Sequence, residues 1–195
     1  MRKLIIMTLC LGVLVIGSVS FAGDFRDTTW GMTKEQVKKA ETASLYQDDP
    51  GKGRMSMLMY NPVKIMGSNY AISYLFCDKK LVVARYINME SYYNKNNYVN
   101  DYLSVNTTLK EKYGEPSKEI MKWYNNLYKG DVQYYGMAIS LGHLRMNNWW
   151  YTDTSRIINN IMGKKFKVTH GVEYSSIKYY DLWQECLKER RKGNF

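Results

Sequence analysis

Histidine and cysteine are scarce in this 195-residue chain. His143 and His170 are the only histidines, and Cys10, Cys77 and Cys186 the only cysteines. Neither histidine stands in a zinc-ligand constellation and no C-x-x-C pair is present, so no metal site can be written from them. No serine occupies a Gly-x-Ser-x-Gly elbow. Beyond residue 22 no apolar run approaches the roughly 17–25 residues that span a bilayer. No nucleic-acid-binding motif accompanies the positive charge of +10. The sequence therefore calls for no metal, no cofactor and no nucleic acid.

What it does have begins at the start. Arg2 and Lys3 precede an apolar run from Leu4 to Ile16, broken only by Thr8 and Gly12, and Ser20-Phe21-Ala22 puts small residues where a signal peptidase requires them. This layout predicts a cleavable secretory signal over 1–22, with the mature chain beginning at Gly23. The competing reading is a retained anchor, for which Leu4 to Phe21 is at the short end of spanning length. Lipidation at Cys10 does not fit, because bulky Leu9 precedes it where Gly or Ala is wanted. Cleavage takes Arg2 and Lys3 away, so the charge falls by two to +8. It also leaves Cys77 and Cys186 as an even pair, a candidate disulfide in an oxidising compartment, against two buried free thiols. The expected location is periplasmic or secreted.

The mature 23–195 segment is the size of one domain with its own core, or of two halves, 24–90 and 91–195, sharing one. Gly23 to Thr29 reads as a polar lead-in. Thr33 and Gln36 have capping-box spacing, with Met32 and Val37 placed as a staple, which predicts a helix from Lys34 to Glu41. Strands are expected at Arg54–Tyr60, Asn69–Phe76 and Leu81–Met89, the last two joined at Asp78-Lys79 as a hairpin with one side on a core. Tyr98, Tyr102, Val105, Leu109 and Tyr113 make a helical stripe over Asn94–Tyr113, stopped by Gly114 and Pro116. Further strands are expected at Glu119–Tyr124, Gly136–Met146, Asn148–Thr152, Ser155–Ile161 and Lys165–Tyr174, then a closing helix over Ile177–Lys192. This order predicts an α+β fold, two or three short helices on a mainly antiparallel sheet, in which a helix-then-strands unit occurs twice.

Three islands carry a resemblance. Trp30-Gly31-Met32-Thr33-Lys34-Glu35-Gln36-Val37 resembles the WG-x-[ST]-xx-[EQ]-V opening of many small exported bacterial proteins of unknown function. Leu109-Lys110-Glu111-Lys112-Tyr113-Gly114-Glu115-Pro116 resembles their L-xx-KYG-x-P helix end, and Trp150, Thr152, Thr154 and Ile157 their following strand pair. Similar layouts occur in β-lactamase-inhibitor-protein-like and SmpA/BamE-like folds. The islands cover roughly 25 of 195 residues. The resemblance implies an exported α+β binding or assembly module and carries over no catalytic residue.

Candidate function follows from composition. With 18 Tyr and 5 Trp, the clusters Trp149-Trp150-Tyr151 and Tyr134-Tyr135 place rings on both faces of strands. Tyr and Trp suit a strand at a wet edge, and they also suit a binding face. Lys164, Lys165 and Lys167, and Arg190 and Arg191 in the tail, are basic clusters. They read as solvated faces or as a patch for an anionic envelope surface. A trio of Ser175, His170 and Asp181 could be drawn for a nucleophile, and Asp48-Asp49 for a carboxylate couple, the latter being ordinary turn chemistry before Pro50-Gly51. The expectation is a non-enzymatic binding module for a protein or an anionic envelope component. The alternatives are a hydrolase of unfamiliar design acting on an envelope polymer, or a structural or inhibitor protein.

Overall fold

The computed structural model describes residues 23–192, and the segment 1–22, read from the sequence as a secretory signal, lies outside the described residues. Helix α1 (Lys34–Ala40) starts on a capping box: the Gln36 amide donates to Thr33 Oγ1 at 3.4 Å, and the Thr33 amide donates to Gln36 Oε1 at 2.8 Å. Four strands follow, β1 (Leu45–Asp49), β2 (Met55–Ile65), β3 (Ser68–Cys77) and β4 (Lys80–Asn88). Two-residue turns at Met66-Gly67 and Asp78-Lys79 hold positive φ at both positions, the geometry that matches the twist of a tight hairpin. Strand β2 runs past Tyr60 because Pro62, which lacks an amide hydrogen, falls in a register shift between Tyr60 and Val63.

Helix α2 (Asn96–Tyr113) ends at Gly114, φ 78°. It leads to β5 (Lys118–Trp123), a 3-10 turn (Val132–Tyr134), α3 (Tyr135–Ser140), β6 (Leu144–Tyr151), β7 (Ser155–Lys164), β8 (Lys167–Ser176) and α4 (Tyr180–Lys192). The eight strands form one antiparallel sheet in the order β1-β2-β3-β4-β8-β7-β6-β5. Each half is thus a helix and a four-strand meander, and the two last strands meet at the centre. That junction is short, pairing Val83–Ile87 with Gly171–Ser175. Gly171 is required there, since a Cβ would run into the Tyr86 carbonyl oxygen.

The α+β expectation holds, with four α-helices among the described residues where two or three were expected. The segment Gly136–Met146 is not one strand. Residues 135–140 are helical, a turn with Gly142 at φ 81° follows, and β6 runs unbroken from Leu144 through Asn148. The strand-like alternation of Tyr135, Met137 and Ile139 is overridden by packing: Ala138 and Ile139 bury against α2, and Gly136 sits where a Cβ would meet the backbone of Lys95.

The inner face of the sheet carries α1 and α2. Val37, Val105 and Leu109 pack on Ile72, Tyr74, Trp150 and Tyr174, while Tyr98, Val99 and Tyr102 pack with α3 on Leu144, Met146 and Ile161. Burying each such side chain stabilises by about 1.5–3 kcal/mol. The lead-in is less polar in effect than expected. Phe25 is buried in a cage of Tyr74, Tyr86 and Tyr174, ring centroids 4.7–5.5 Å away, and Arg26 makes a two-point ion pair with buried Glu41.

Helix α4 crosses to the outer face. Trp183 and Cys186 pack on Leu75, Cys77 and Val83, so the β3–β4 hairpin is covered on both sides near its turn instead of one. Cys77 and Cys186 lie at disulfide geometry, with Cα atoms 6.4 Å apart. Among the described residues no helix is long and apolar enough to cross a membrane.

Candidate binding face

Residues directly opposite each other in an antiparallel pair share a face, so the register writes out the outer surface row by row. One row runs Lys118, Trp149, Ile158, Glu173, Arg85, Ser73. Its neighbour runs Tyr151, Arg156, Ser175, Val83, Leu75. Helix α4 covers the Val83–Leu75 end and stops there. The rest of the outer face, over β4, β8, β7 and β6, is bare and holds a depression of about 430 Å³ whose walls include Arg85, Ile87, Trp149, Ile158, Asn160 and Glu173.

Charge and aromatic groups interlock at the edge of this depression. Glu173 takes Arg85 at 2.7 Å and Arg156 at 3.6 Å. The Arg156 guanidinium lies 5.4 Å from the Trp149 ring centroid and 5.3 Å from that of Tyr180, and its Nε donates to Ser175 Oγ at 3.2 Å. Arg156 is thus held in place by two rings, a carboxylate and a hydroxyl. A planar cation between rings gains attraction from both faces. The Trp149 indole nitrogen is buried with no acceptor, which costs about 1–3 kcal/mol while it stays unpaired.

The expected aromatic face comes apart in the structure. Trp149 and Tyr151 share the outer face, but Trp150 points inward, buried, with its Nε1 donating to the Gly114 carbonyl at 2.8 Å. Tyr134 and Tyr135 are not on a strand. They sit in the 3-10 turn and α3 at the far end of β6, Tyr134 stacked on Tyr128 at 5.5 Å. The basic residues divide as well. Lys164, Lys165 and Lys167 form the β7–β8 turn, whereas Arg190 and Arg191 end α4 near the disulfide, about 30 Å away along a ten-residue strand. Arg190 helps line a second depression of about 660 Å³ beside Arg54, whose guanidinium is taken by Asp78 and Glu189.

The nucleophile trio is not assembled. Ser175 faces outward, Asp181 is exposed on α4, and His170 is buried on the inner face. His170 belongs to a polar chain instead. Asn159 donates through Nδ2 to the Tyr102 carbonyl, which turns its Oδ1 to His170 Nε2 at 3.0 Å, so Nε2 carries the proton. Nδ1 then accepts from the Tyr70 hydroxyl at 3.2 Å, and Tyr70 accepts from Asn88, which also donates to Asp101 at 2.7 Å. Burial pushes the His170 pKa down to about 4. His143 stacks on Tyr128, its Nδ1 buried without a partner. Asp48 and Asp49 end β1 where a turn was expected: Asp48 pairs with Lys34 and Lys38, and Asp49 Oδ1 accepts from the Gly51 amide as the turn begins. Among the described residues no group of three metal-ligating side chains converges.

Arg85, Arg156, Glu173 and Tyr180 were not singled out from the sequence. Alternation along Ser155–Ile161 does put Arg156, Ile158 and Asn160 on one face. Their meeting with Glu173 depends on the two-residue turn at Lys165-Phe166, which falls inside what the sequence suggested was strand. The chain matches no protein-family model, no curated protein and no solved structure. The residues of the three islands do structural work here: Trp30 Nε1 donates to Ser155 Oγ, Gly31 and Met32 pair with Leu81, and Trp150 ties to Gly114.

Proposed function

We propose that the protein is an exported binding module that holds a protein partner on the bare outer face of its sheet. The observation that carries this reading is Arg156, fixed between Trp149 and Tyr180 on the edge of an uncovered depression. Trp, Tyr and Arg brought together in a part-desolvated setting are the residue types that dominate binding energy at protein interfaces. The register adds a charge preference. Lys118, Lys122, Arg145, Arg85 and Arg156 share this face, and Glu173 is the acid set among them, so an acidic partner surface is favoured. The Cys77–Cys186 pair supports an oxidising, extracytoplasmic setting, in line with the signal segment read from the sequence.

The test is affinity capture from envelope extract by residues 23–195, beside a Trp149→Ala/Arg156→Ala variant. Both positions face outward, so folding should persist. Loss of two such anchors should weaken capture at least thirtyfold, the equivalent of about 2 kcal/mol. Equal capture by the two proteins would remove the sheet face from consideration.

A further inference from the structure

A different surface lies at the end of the sheet farthest from the disulfide, where β5 and β7 finish and β6 and β8 begin. It is built from the 124–137 segment and the Lys165-Phe166 turn. Three apolar side chains stand out from it, Leu127 at 69 %, Val132 at 70 % and Phe166 at 63 % exposure, with Tyr93 fully exposed on the neighbouring loop into α2. The frame beneath them is tied down. The Phe166 amide donates to the Ser140 carbonyl at 3.0 Å, the Tyr124 amide to that of His143 at 2.7 Å, and Asn96 on α2 bonds both Gly136 and Gln133. These side chains project from anchored tips.

The turn is locally unfavourable for what it carries. Lys165 and Phe166 hold φ at 51° and 64°, where Asn-Gly is the least strained choice. A bulky aromatic residue kept exposed in that conformation serves nothing inside the fold. Charge points the same way. Lys129, Lys164, Lys165 and Lys167 are exposed here, and none forms an ion pair among the described residues. Two acids lie nearby, Asp131 hydrogen-bonded to Gln133 and Glu90 to Asn69, and the four lysines outnumber them, which leaves the surface net positive.

We infer that this end of the molecule docks on an anionic lipid bilayer. Phe166, Leu127 and Val132 enter the headgroup boundary, and the four lysines lie against the phosphates. Apolar tips ringed by lysine suit a flat, negatively charged, partly apolar boundary. An acidic protein partner would instead be met by the depression on the sheet face.

The experiment is sedimentation of residues 23–195 with vesicles of phosphatidylcholine, with and without phosphatidylglycerol. Binding is expected only to the anionic vesicles and should fall with added salt. Lys164→Gln/Lys165→Gln/Lys167→Gln should lower it roughly a hundredfold, about fivefold for each lysine neutralised. Phe166→Ser/Leu127→Ser should remove the salt-resistant part of the binding. All these positions are exposed, and an unchanged thermal midpoint confirms folding. Equal binding to both vesicle types, full binding by the lysine variant, or retention on immobilised polyglutamate with none on vesicles would each overturn the inference. Trp149→Ala/Arg156→Ala should bind vesicles as the parent does, so this surface and the sheet face fail independently.

Discussion

The two halves of the sheet share a layout and differ in how they are covered. In the first half β3 is buried almost throughout: α1 and α2 lie on its inner side, α4 covers Leu75 and Cys77 on its outer side, and β2 and β4 flank it on both edges. In the second half β6 and β7, as far as Met162, alternate between a buried residue inward and a half-buried or exposed one outward. A strand covered on both faces carries mostly apolar or small side chains on each, as β3 does with Ser73 a small polar exception, and one covered on a single face is free to carry chemistry on the other. Helix α4 decides which half is which. It emerges from the second half and shields the first, leaving the second bare, and the bare half is where Trp149, Arg156 and Glu173 collect.

The sharpest way to break this contrast is to release α4. Cys77→Ser/Cys186→Ser opens a loop with a sequence separation of 109, and stability should drop by about 4–5 kcal/mol on loop-entropy grounds, read by urea denaturation. New dye-accessible apolar surface should appear over Leu75 and Val83. Next in size is the tryptophan pair. Trp150→Ala removes an inner-face side chain and its bond to Gly114, and should cost about 4 kcal/mol. Trp149→Ala, one residue earlier, should cost under about 1 kcal/mol, so a chemical melt of each variant measures directly which face is covered.

The polar chain between the halves should show itself in pH. The folded His170 titrates near 4 against 6.5 when unfolded. Only the unfolded state takes up the proton between those values, so full stability holds above 6.5 and is lost as pH falls toward 4. The loss should be about 3 kcal/mol, and His170→Gln should flatten the profile across that window. The Glu41 carboxyl, held below the ordinary carboxylate range by its bonds to Tyr74, Ala43 and Arg26 despite its burial, adds a further loss as pH falls below about 4.5. The smallest effect is Glu173→Gln, an edge-of-depression change worth under about 1 kcal/mol in stability. Gln keeps an oxygen acceptor for Arg85 and Arg156 while the opposing charge is lost, so capture of an acidic partner should rise.

Legibility in the sequence followed the range of the interaction. The cap on α1 and the Asp78-Lys79 turn are settled by residues within three positions of one another, and both were readable. The stop at Gly114 was readable for the same reason. Helix α3 was not, since its alternation is that of a strand and its helicity depends on Gly136 fitting against the backbone of Lys95 and Asn96, distant in sequence at the start of α2. Alternation along β6 shows that Trp149 and Trp150 face opposite ways. Which of them is inside depends on where α2 and α4 lie, and that is a property of the whole sheet. The row joining residues 85, 158 and 173 likewise exists only once β4 meets β8. Of the candidate site, the sequence disclosed Trp149 and Tyr151 and nothing of the groups that fix Arg156.

The Cys77–Cys186 link closes a covalent ring that takes in β4 and every strand of the second half. A protease cutting the exposed stretch around Asn125-Asn126 would therefore yield two pieces that travel together until a reductant is added. The open sheet face can accept a break in its own outlying connections and still be delivered as one body.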